Sequence, residues 1–222
     1  MRLAIVSDIH ANLPALEAVL AAVEESDIDE TWCLGDVVGY GADPDACAEL
    51  VARRASLCLV GNHDLAVLGA LDISSFSPAA AEAVRWTRDV AKPQTLDFLE
   101  RLEPADTSHE VALYHASPRD PVWEYVLWPD QAAECIRAQD ARVSLVGHSH
   151  VALFFALPED GAAAGGAEAR GAQAGAGTRL ELDTDEWAAT YRRVEYEIDR
   201  AAEAIAATDL PEHLARRLYV GQ

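Results

Sequence analysis

The sequence predicts an α/β fold built on consecutive β-α-β units, and three observations predict it. Short β-branched apolar runs alternate with helix-like stretches opened by proline. The first three runs each end in a polar cluster, and the clusters recur at similar spacing, 28 residues from Asp8 to Asp36 and 26 from Asp36 to Asn62. Crossover units of that length suit right-handed connections in a parallel sheet.

Residues 2–7 form an apolar run without a turn residue, as a buried parallel strand requires. Pro14 then opens a helix whose Leu16, Val19, Leu20 and Val23 share one face. Thr31 to Leu34 reads as the second strand, ending in Gly35-Asp36, and Pro44 begins a helix over 44–53. Ser56 to Val60 reads as the third strand, ending in Gly61-Asn62-His63-Asp64. Residues 65–104 read as a helical insert, with helices started by Pro78 and Pro93. Strands resume at Glu110 to Tyr114, Val143 to Val146 and Val151 to Leu157, with a helix over Pro129 to Gln139 between the first two. The stretch from Glu159 to Gly177 is nearly all Gly, Ala and scattered charge, with too little apolar surface to offset its ordering entropy, and reads as a flexible loop. Alternating runs at 179–182 and 190–198, then helices at about 199–207 and after Pro211, complete the chain.

With 222 residues, half of them apolar, the chain can bury the core of one domain spanning 1–222. Asp and Glu total 38 against 17 Lys and Arg, a formal charge of −21. Such a field repels phosphate polymers, so stable binding to nucleic acid or to an anionic membrane is not expected. Bound metal can still reverse the field locally and admit a small anion. Cys33, Cys47, Cys58 and Cys135 show no C-x-x-C pairing and read as free thiols of a reducing compartment. The first apolar run is too short for a signal-peptide core, and no run approaches the ~18 residues that span a bilayer. A soluble cytoplasmic protein is the expectation.

The polar groups suited to metal binding fall at strand ends: Asp8 and His10, Asp36, Asn62 and His63, His115, His148 and His150. In parallel sheets the carboxyl ends of strands share one edge, so these residues should converge there. The i, i+2 spacing within Asp8-x-His10 and His148-x-His150 turns both members of each pair to one side. Two carboxylates, one amide oxygen and four imidazoles, before His63 is assigned, are too many for one ion that keeps open positions. They suit two ions sharing a carboxylate.

Asp8-x-His10, Gly35-Asp36 with Val38-Gly39-Tyr40-Gly41, Gly61-Asn62-His63-Asp64, His115 and Gly147-His148-Ser149-His150 resemble the five signature blocks of the calcineurin-like metallophosphoesterases. The resemblance spans residues 1–157. The Ser-Asp-Ile-His-Ala-Asn opening and Ser117-Pro118-Arg119-Asp120-Pro121 with Trp123-Glu124-Tyr125 resemble the compact bacterial phosphodiesterase branch. The resemblance implies a four-layer α/β/β/α sandwich. It also implies a first ion on Asp8, His10, Asp36 and His150 and a second on Asp36, Asn62, His115 and His148. His63 would lie near both ions as general acid, oriented by Asp64. Manganese is the first expectation for the metal, with iron, zinc, nickel or magnesium as other options.

Two divalent ions can generate a bridging hydroxide at neutral pH, and a positioned imidazole can protonate the leaving alkoxide. The implied function is a phosphodiesterase acting on a small phosphoester, with a nucleotide among the candidate substrates. A phosphomonoesterase, a dinucleoside-polyphosphate hydrolase and a non-catalytic scaffold of the same fold are the alternatives, and a homo-oligomer is compatible with all of them. The chain lacks the Asn-Pro-Gly-Ser and Gln-Pro-Arg segments usual in this branch, so the second sheet is expected to be short of a hairpin. Asn12, Tyr40, Arg119 and Tyr125 flank the blocks as candidate pocket residues, equally explained by capping and packing. His109 and His213 lie outside every block and read as surface residues, and the charges between 181 and 200 read as a solvated face.

Overall fold

A computed structural model describes residues 1–158, 164–167 and 176–220. Strands β1 (Arg2–Val6), β2 (Glu30–Cys33) and β3 (Leu57–Cys58) are parallel, joined by helices α1 (Leu13–Glu24) and α2 (Pro44–Arg54). Both helices begin at a proline in the first turn, where a missing N–H costs nothing. Asn12 also caps α1, its Oδ1 accepting from the Ala15 N–H at 3.2 Å. After β3 come α3 (Asn62–Val67), a 3₁₀ turn at Ile73–Ser75, α4 (Pro78–Val90) and α5 (Pro93–Leu99). Ser77 caps α4 through the Ala80 N–H at 3.2 Å.

The second sheet contains β4 (Ala105–Asp106), β5 (Val111–Tyr114) and β6 (Val143–Val146), in that order, with β5 and β6 parallel. Helix α6 (Pro129–Arg137) lies between β5 and β6 in sequence. A separate antiparallel pair is formed by β7 (Leu153–Ala156) and β8 (Ala164–Ala167). Strands β9 (Ala176–Asp183) and β10 (Ala188–Glu195) form a hairpin, and α7 (Ile198–Ala206) and α8 (Glu212–Arg217) close the chain.

The strand order adds one finding, and two expectations are corrected. The late hairpin extends the first sheet, which runs β10-β9-β1-β2-β3, with Leu3 opposite Leu182. An alternating pattern states that a strand has one buried face; it does not say which edge the strand will join. The loop expected over 159–177 is a strand at 164–167, and β9 of the first sheet begins at 176; residues 159–163 and 168–175 lie outside the described residues. Finally, Glu181 departs from the solvated face expected of the charges over 181–200, its side chain being only 12% exposed. Arg179 is buried, pairs with Glu181 at 2.7 Å and donates to Ser26 Oγ at 2.9 Å.

Alternation along the strands divides the core. Leu3, Ile5, Trp32, Leu34, Leu59 and Leu182 from the first sheet pack against Val111, Leu113 and Leu145 from the second. Val6 and Cys33 point to the opposite face and meet Leu16, Val19 and Leu20 of α1 and Cys47, Ala48 and Val51 of α2. The two sheets are therefore pressed together, and their strand ends are fixed relative to one another. No helix among the described residues is long and apolar enough to cross a membrane.

Leu113 is fully buried between the sheets. Leu113→Ala is expected to cost about 2–5 kcal/mol of stability, since a cavity at a sheet interface cannot collapse without moving both sheets. Urea denaturation with an unchanged dependence on denaturant concentration checks this.

Candidate metal centre

Each signature group follows directly from a strand. Asp8 and His10 leave β1, Asp36 leaves β2, Asn62 and His63 open α3 after β3, His115 leaves β5, and His148 and His150 leave β6. The convergence uses the carboxyl ends of parallel strands in two sheets, where the sequence predicted a single edge. Backbone bonds align the loops: Asp8 N–H donates to Gly35 O at 3.0 Å, His10 N–H to Asp36 O at 2.9 Å and Gly147 N–H to His115 O at 2.8 Å.

The backbone at these positions is unusual. Asp8, His10, Asp36, His148 and His150 all have φ between 49° and 63°. Left-handed backbone costs a non-glycine residue roughly 1–2 kcal/mol, so so many together mark a place where the surroundings impose the conformation. Glycine serves where space is the limit. A Cβ on Gly61 would stand 2.0 Å from Asp36 Oδ1, and one on Gly41 would stand 2.4 Å from His10 O.

Asp36 is at the middle. Its Oδ1 accepts the His63 N–H at 2.8 Å, and its Oδ2 lies 3.7 Å from His10 Nε2 and 3.6 Å from His115 Nε2. On one side, His10 Nε2 is 2.9 Å from His150 Nε2, which is 3.6 Å from Asp8 Oδ1. On the other, Asn62 Oδ1 is 3.2 Å from His115 Nε2 and 3.1 Å from His148 Nδ1. Two groups of donor atoms result, Asp8 with His10 and His150, and Asp36 with His115 and His148, each within 4.8 Å. His63 joins a third group with His10 and Asp36.

These residues fit divalent cations on the chemistry of their donor atoms. His10 Nδ1 is 3.2 Å from Val38 O and His115 Nδ1 is 2.8 Å from Leu34 O, so the Nδ1 protons are held by backbone carbonyls. The Nε2 lone pairs are left to face one another and the carboxylates, as metal-ligating histidines require. A His10–His150 separation of 2.9 Å is close to that of two nitrogens on one ion with bonds of ~2.1 Å.

The electrostatics have the same sense. Burial, reinforced by Asp64 and Asp8, pushes Asp36 well above the ordinary carboxylate range. Burial also lowers the imidazoles, His63 to about 3 and His148 to about 4, with neighbouring histidines adding to the shift. His10 is held well below its ordinary value by burial and by His63 and His150. The cluster thus combines neutral imidazoles with a carboxylate that lacks compensating charge, and bound cations would supply it.

Asp64 requires a correction. Its carboxylate accepts the N–H groups of Gly61 at 3.0 Å, Val38 at 2.9 Å and Val37 at 3.2 Å, so it fastens the β2 loop to α3 and does not hold the His63 ring. His63 Nδ1 is buried without a hydrogen-bond partner. The ring is instead enclosed by Tyr40, His10 and Phe76, with centroids 4.5, 4.8 and 5.0 Å away.

Among the flanking candidates, Tyr125 stacks on His148 at 4.1 Å and Asn12 Nδ2 donates to Tyr196 Oη at 3.2 Å. Arg119 is tied to Glu124 and Glu134 and serves the turn carrying Trp123 and Tyr125. His109 and His213 are exposed outside the cluster. Sequence reasoning missed Phe76, which arrives from the helical insert, and Arg217 of α8, whose guanidinium carbon lies 4.6 Å from the Tyr40 ring centroid. The latter follows no motif and had no signal.

Residues 1–165 match the calcineurin-like phosphoesterase superfamily domain. The chain belongs to that superfamily. It is 35% identical over 241 aligned positions to an uncharacterised protein of Methanocaldococcus jannaschii, covering 99% of this chain and 98% of that one. Its fold is similar to the crystal structure of a metallophosphoesterase from Sphaerobacter thermophilus, with TM-score 0.83, 33% identity and coverage of 100% and 99%. A hypothetical protein of Pyrococcus horikoshii OT3 shares the fold, with TM-score 0.85, 18% identity and coverage of 100% and 98%. Its His/Asp clusters are consistent with a metal site typical of this superfamily.

Two predictions follow from the geometry. Gly61→Ala displaces Asp36 and should weaken metal binding at least tenfold, read by competition with a chromogenic chelator. In metal-free protein, unfolded His63 takes its proton near pH 6.5 and folded His63 only near 3. The unfolded state therefore binds more protons between these values, and stability falls as pH falls through that window. His63→Gln removes this contribution, so denaturation in EDTA should show wild type losing up to ~1.4 kcal/mol per pH unit relative to the variant.

Proposed function

We propose that the protein is a metal-dependent phosphodiesterase acting on small phosphoesters. The observation that carries this reading is the placement of Asp36 Oδ2 between His10 Nε2 and His115 Nε2, which makes one carboxylate common to two donor groups. In this reading Asp8, His10, Asp36 and His150 hold one divalent ion and Asp36, Asn62, His115 and His148 hold the other, with manganese as the first choice. Two such ions supply charge neutralisation for a phosphate and acidify water toward hydroxide near neutral pH. The two packed sheets, with α1 and α2 on one side, are read as the inner part of a four-layer α/β/β/α sandwich.

The chain's own residues would do the rest. Backbone strain and the Nδ1–carbonyl bonds fix the imidazoles before substrate arrives, which removes reorganisation from the reaction. Tyr40, Phe76, Trp123 and Tyr125 wall the cluster and limit water around the reacting phosphorus. His63 lies beside the cluster as the proton donor to the leaving oxygen. Burial and the neighbouring histidines lower its pKa to about 3, so the ring is neutral at pH 7. This favours a second role that needs no charge, donation of a hydrogen bond from the imidazole N–H to a phosphate oxygen.

Room in two cavities beside Asp8 and His150 supports a diester. Cavities of about 360 Å³ and 140 Å³ meet at Asp8, Ile9, Asn12 and His150. A monoester needs space for one organic group only.

A screen of mono- and diesters against manganese, zinc, nickel, iron and magnesium tests the reading, and no hydrolysis with any pair would overturn it. Asp36→Asn should lower the content of both ions, measured by elemental analysis. His63→Gln should keep the metal and lose roughly 10²–10⁴ in rate on an alkyl ester. A much smaller loss on a nitrophenyl ester identifies proton donation; an equal loss on both identifies the hydrogen-bond role.

A further inference from the structure

Strand β9 pairs with β1 only from Arg2 to Ile5, although its hairpin with β10 continues to Ala176. The two strands therefore part before the chain reaches Ser7 and Asp8, and a split opens beside the metal centre. The larger cavity, of about 360 Å³, is lined by residues of both strands, by Asp8 and His150 of the centre and by Ala15, Leu16 and Val19 of α1. Asn12 and Val19 both border it, which gives it a length of roughly 10 Å at 1.5 Å per helical residue.

Polar groups without protein partners face this split. Leu34 N–H donates to Val6 O and Asp8 N–H to Gly35 O, so even-numbered residues of β1 turn their backbone groups to β2 and odd-numbered ones to β9. Because β9 turns away after Ile5, the N–H and C=O of Ser7 are left toward the split. Ser7 and Arg179 both line the cavity, and Ser7 Oγ and Arg179 Nη1 are buried without a hydrogen-bond partner among the described residues. Arg179 is otherwise fixed: its Nε and Nη2 donate to Glu181 Oε1 at 3.2 and 2.7 Å, and Nη2 donates to Ser26 Oγ at 2.9 Å.

We propose that this cavity is a subsite for a neutral, flat heterocycle with an amide-like edge, carried by the ester whose phosphorus sits at the metal centre. The inference rests on the phosphoesterase reading of the centre. Ser7 offers one N–H and one C=O from a strand edge, the pair that complements an N–H beside a carbonyl in a ring. Leu16, Val19, Leu145 and Leu153 supply apolar walls for the faces of the ring. A second anionic group is disfavoured, since Asp8 stands at the centre and Glu181 already balances Arg179. Arg179, held in place by Glu181 and Ser26, keeps Nη1 for a further acceptor on the ring with little loss of its own freedom.

The test titrates manganese-loaded full-length protein calorimetrically with uridine 5′-monophosphate and with ribose 5-phosphate, which differ in the base alone. Wild type should bind the nucleotide at least about tenfold more tightly, the scale of one or two net hydrogen bonds. Ala15→Phe, which fills the cavity from α1, should bring the two affinities within about threefold of each other. Ribose 5-phosphate affinity, manganese content and melting temperature should match wild type. Arg179→Gln should lower the preference for the base roughly 3- to 10-fold, with Arg192 still paired to Glu181 at 3.1 Å. Should that variant not fold, Ala15→Phe decides.

Equal affinity of wild type for the two phosphates would overturn the proposal, as would a preference for the base that survives Ala15→Phe or a parallel loss of ribose 5-phosphate binding in that variant. An unchanged preference in folded Arg179→Gln would overturn the part given to Arg179. If no ester is hydrolysed by wild type, the phosphodiesterase reading fails while the calorimetry still decides whether the cavity takes the base.

Discussion

The site depends on one buried carboxylate. Asp36 is 1% exposed, takes one backbone N–H from His63 and lies within 4 Å of two imidazole Nε2 atoms whose Nδ1 protons are committed to backbone carbonyls. An anion in that position is destabilised by burial and by Asp64 and Asp8. Protonating it would relieve the charge and destroy the symmetry of the donors around it. Bound cations would relieve the charge and keep the arrangement, which makes the cluster coherent as a metal site.

The surrounding fold can be understood as what keeps Asp36 in place. Gly61 approaches its carboxylate so closely that no side chain fits, and Asp64 ties the same glycine to Val37 and Val38 through three backbone N–H bonds. The left-handed φ at Asp8, His10, Asp36, His148 and His150 stores strain that isolated loops would release. The two sheets do not allow release: Leu3, Ile5 and Leu34 on one and Val111, Leu113 and Leu145 on the other lock the strands from which those loops emerge. Packing energy in the core is thus converted into fixed positions at the edge.

Much of this was legible in the sequence, for identifiable reasons. Strand ends carrying Asp8, Asp36, Asn62, His115 and His148 were visible because apolar runs stop abruptly at polar groups, and prolines 14, 44, 78 and 93 marked helix starts that the structure retains. Pairing was not legible. Nothing in the alternation of 179–182 states that this strand lies beside β1, and nothing in the spacing after Tyr114 separates one sheet from two. Asp64 was misread because the family resemblance implied that it orients His63, whereas α3 turns the carboxylate back to the helix N-terminus, where backbone donors hold it. Arg217 had no motif around it, and only the docking of α7 and α8 on Tyr40 brings it to the centre.

Charge is the remaining constraint, and it connects the composition to the site. At −21 the chain repels anions at long range, so a phosphoester gains nothing from steering by the whole protein. Attraction has to be generated within a few ångströms, where a Debye length of ~8 Å at physiological salt still leaves interactions largely unscreened. The neutral imidazoles at His10, His63, His148 and His150 contribute no positive charge of their own, since burial and mutual repulsion suppress their protonation. Local reversal of sign would therefore fall to cations bound at the Asp36 cluster.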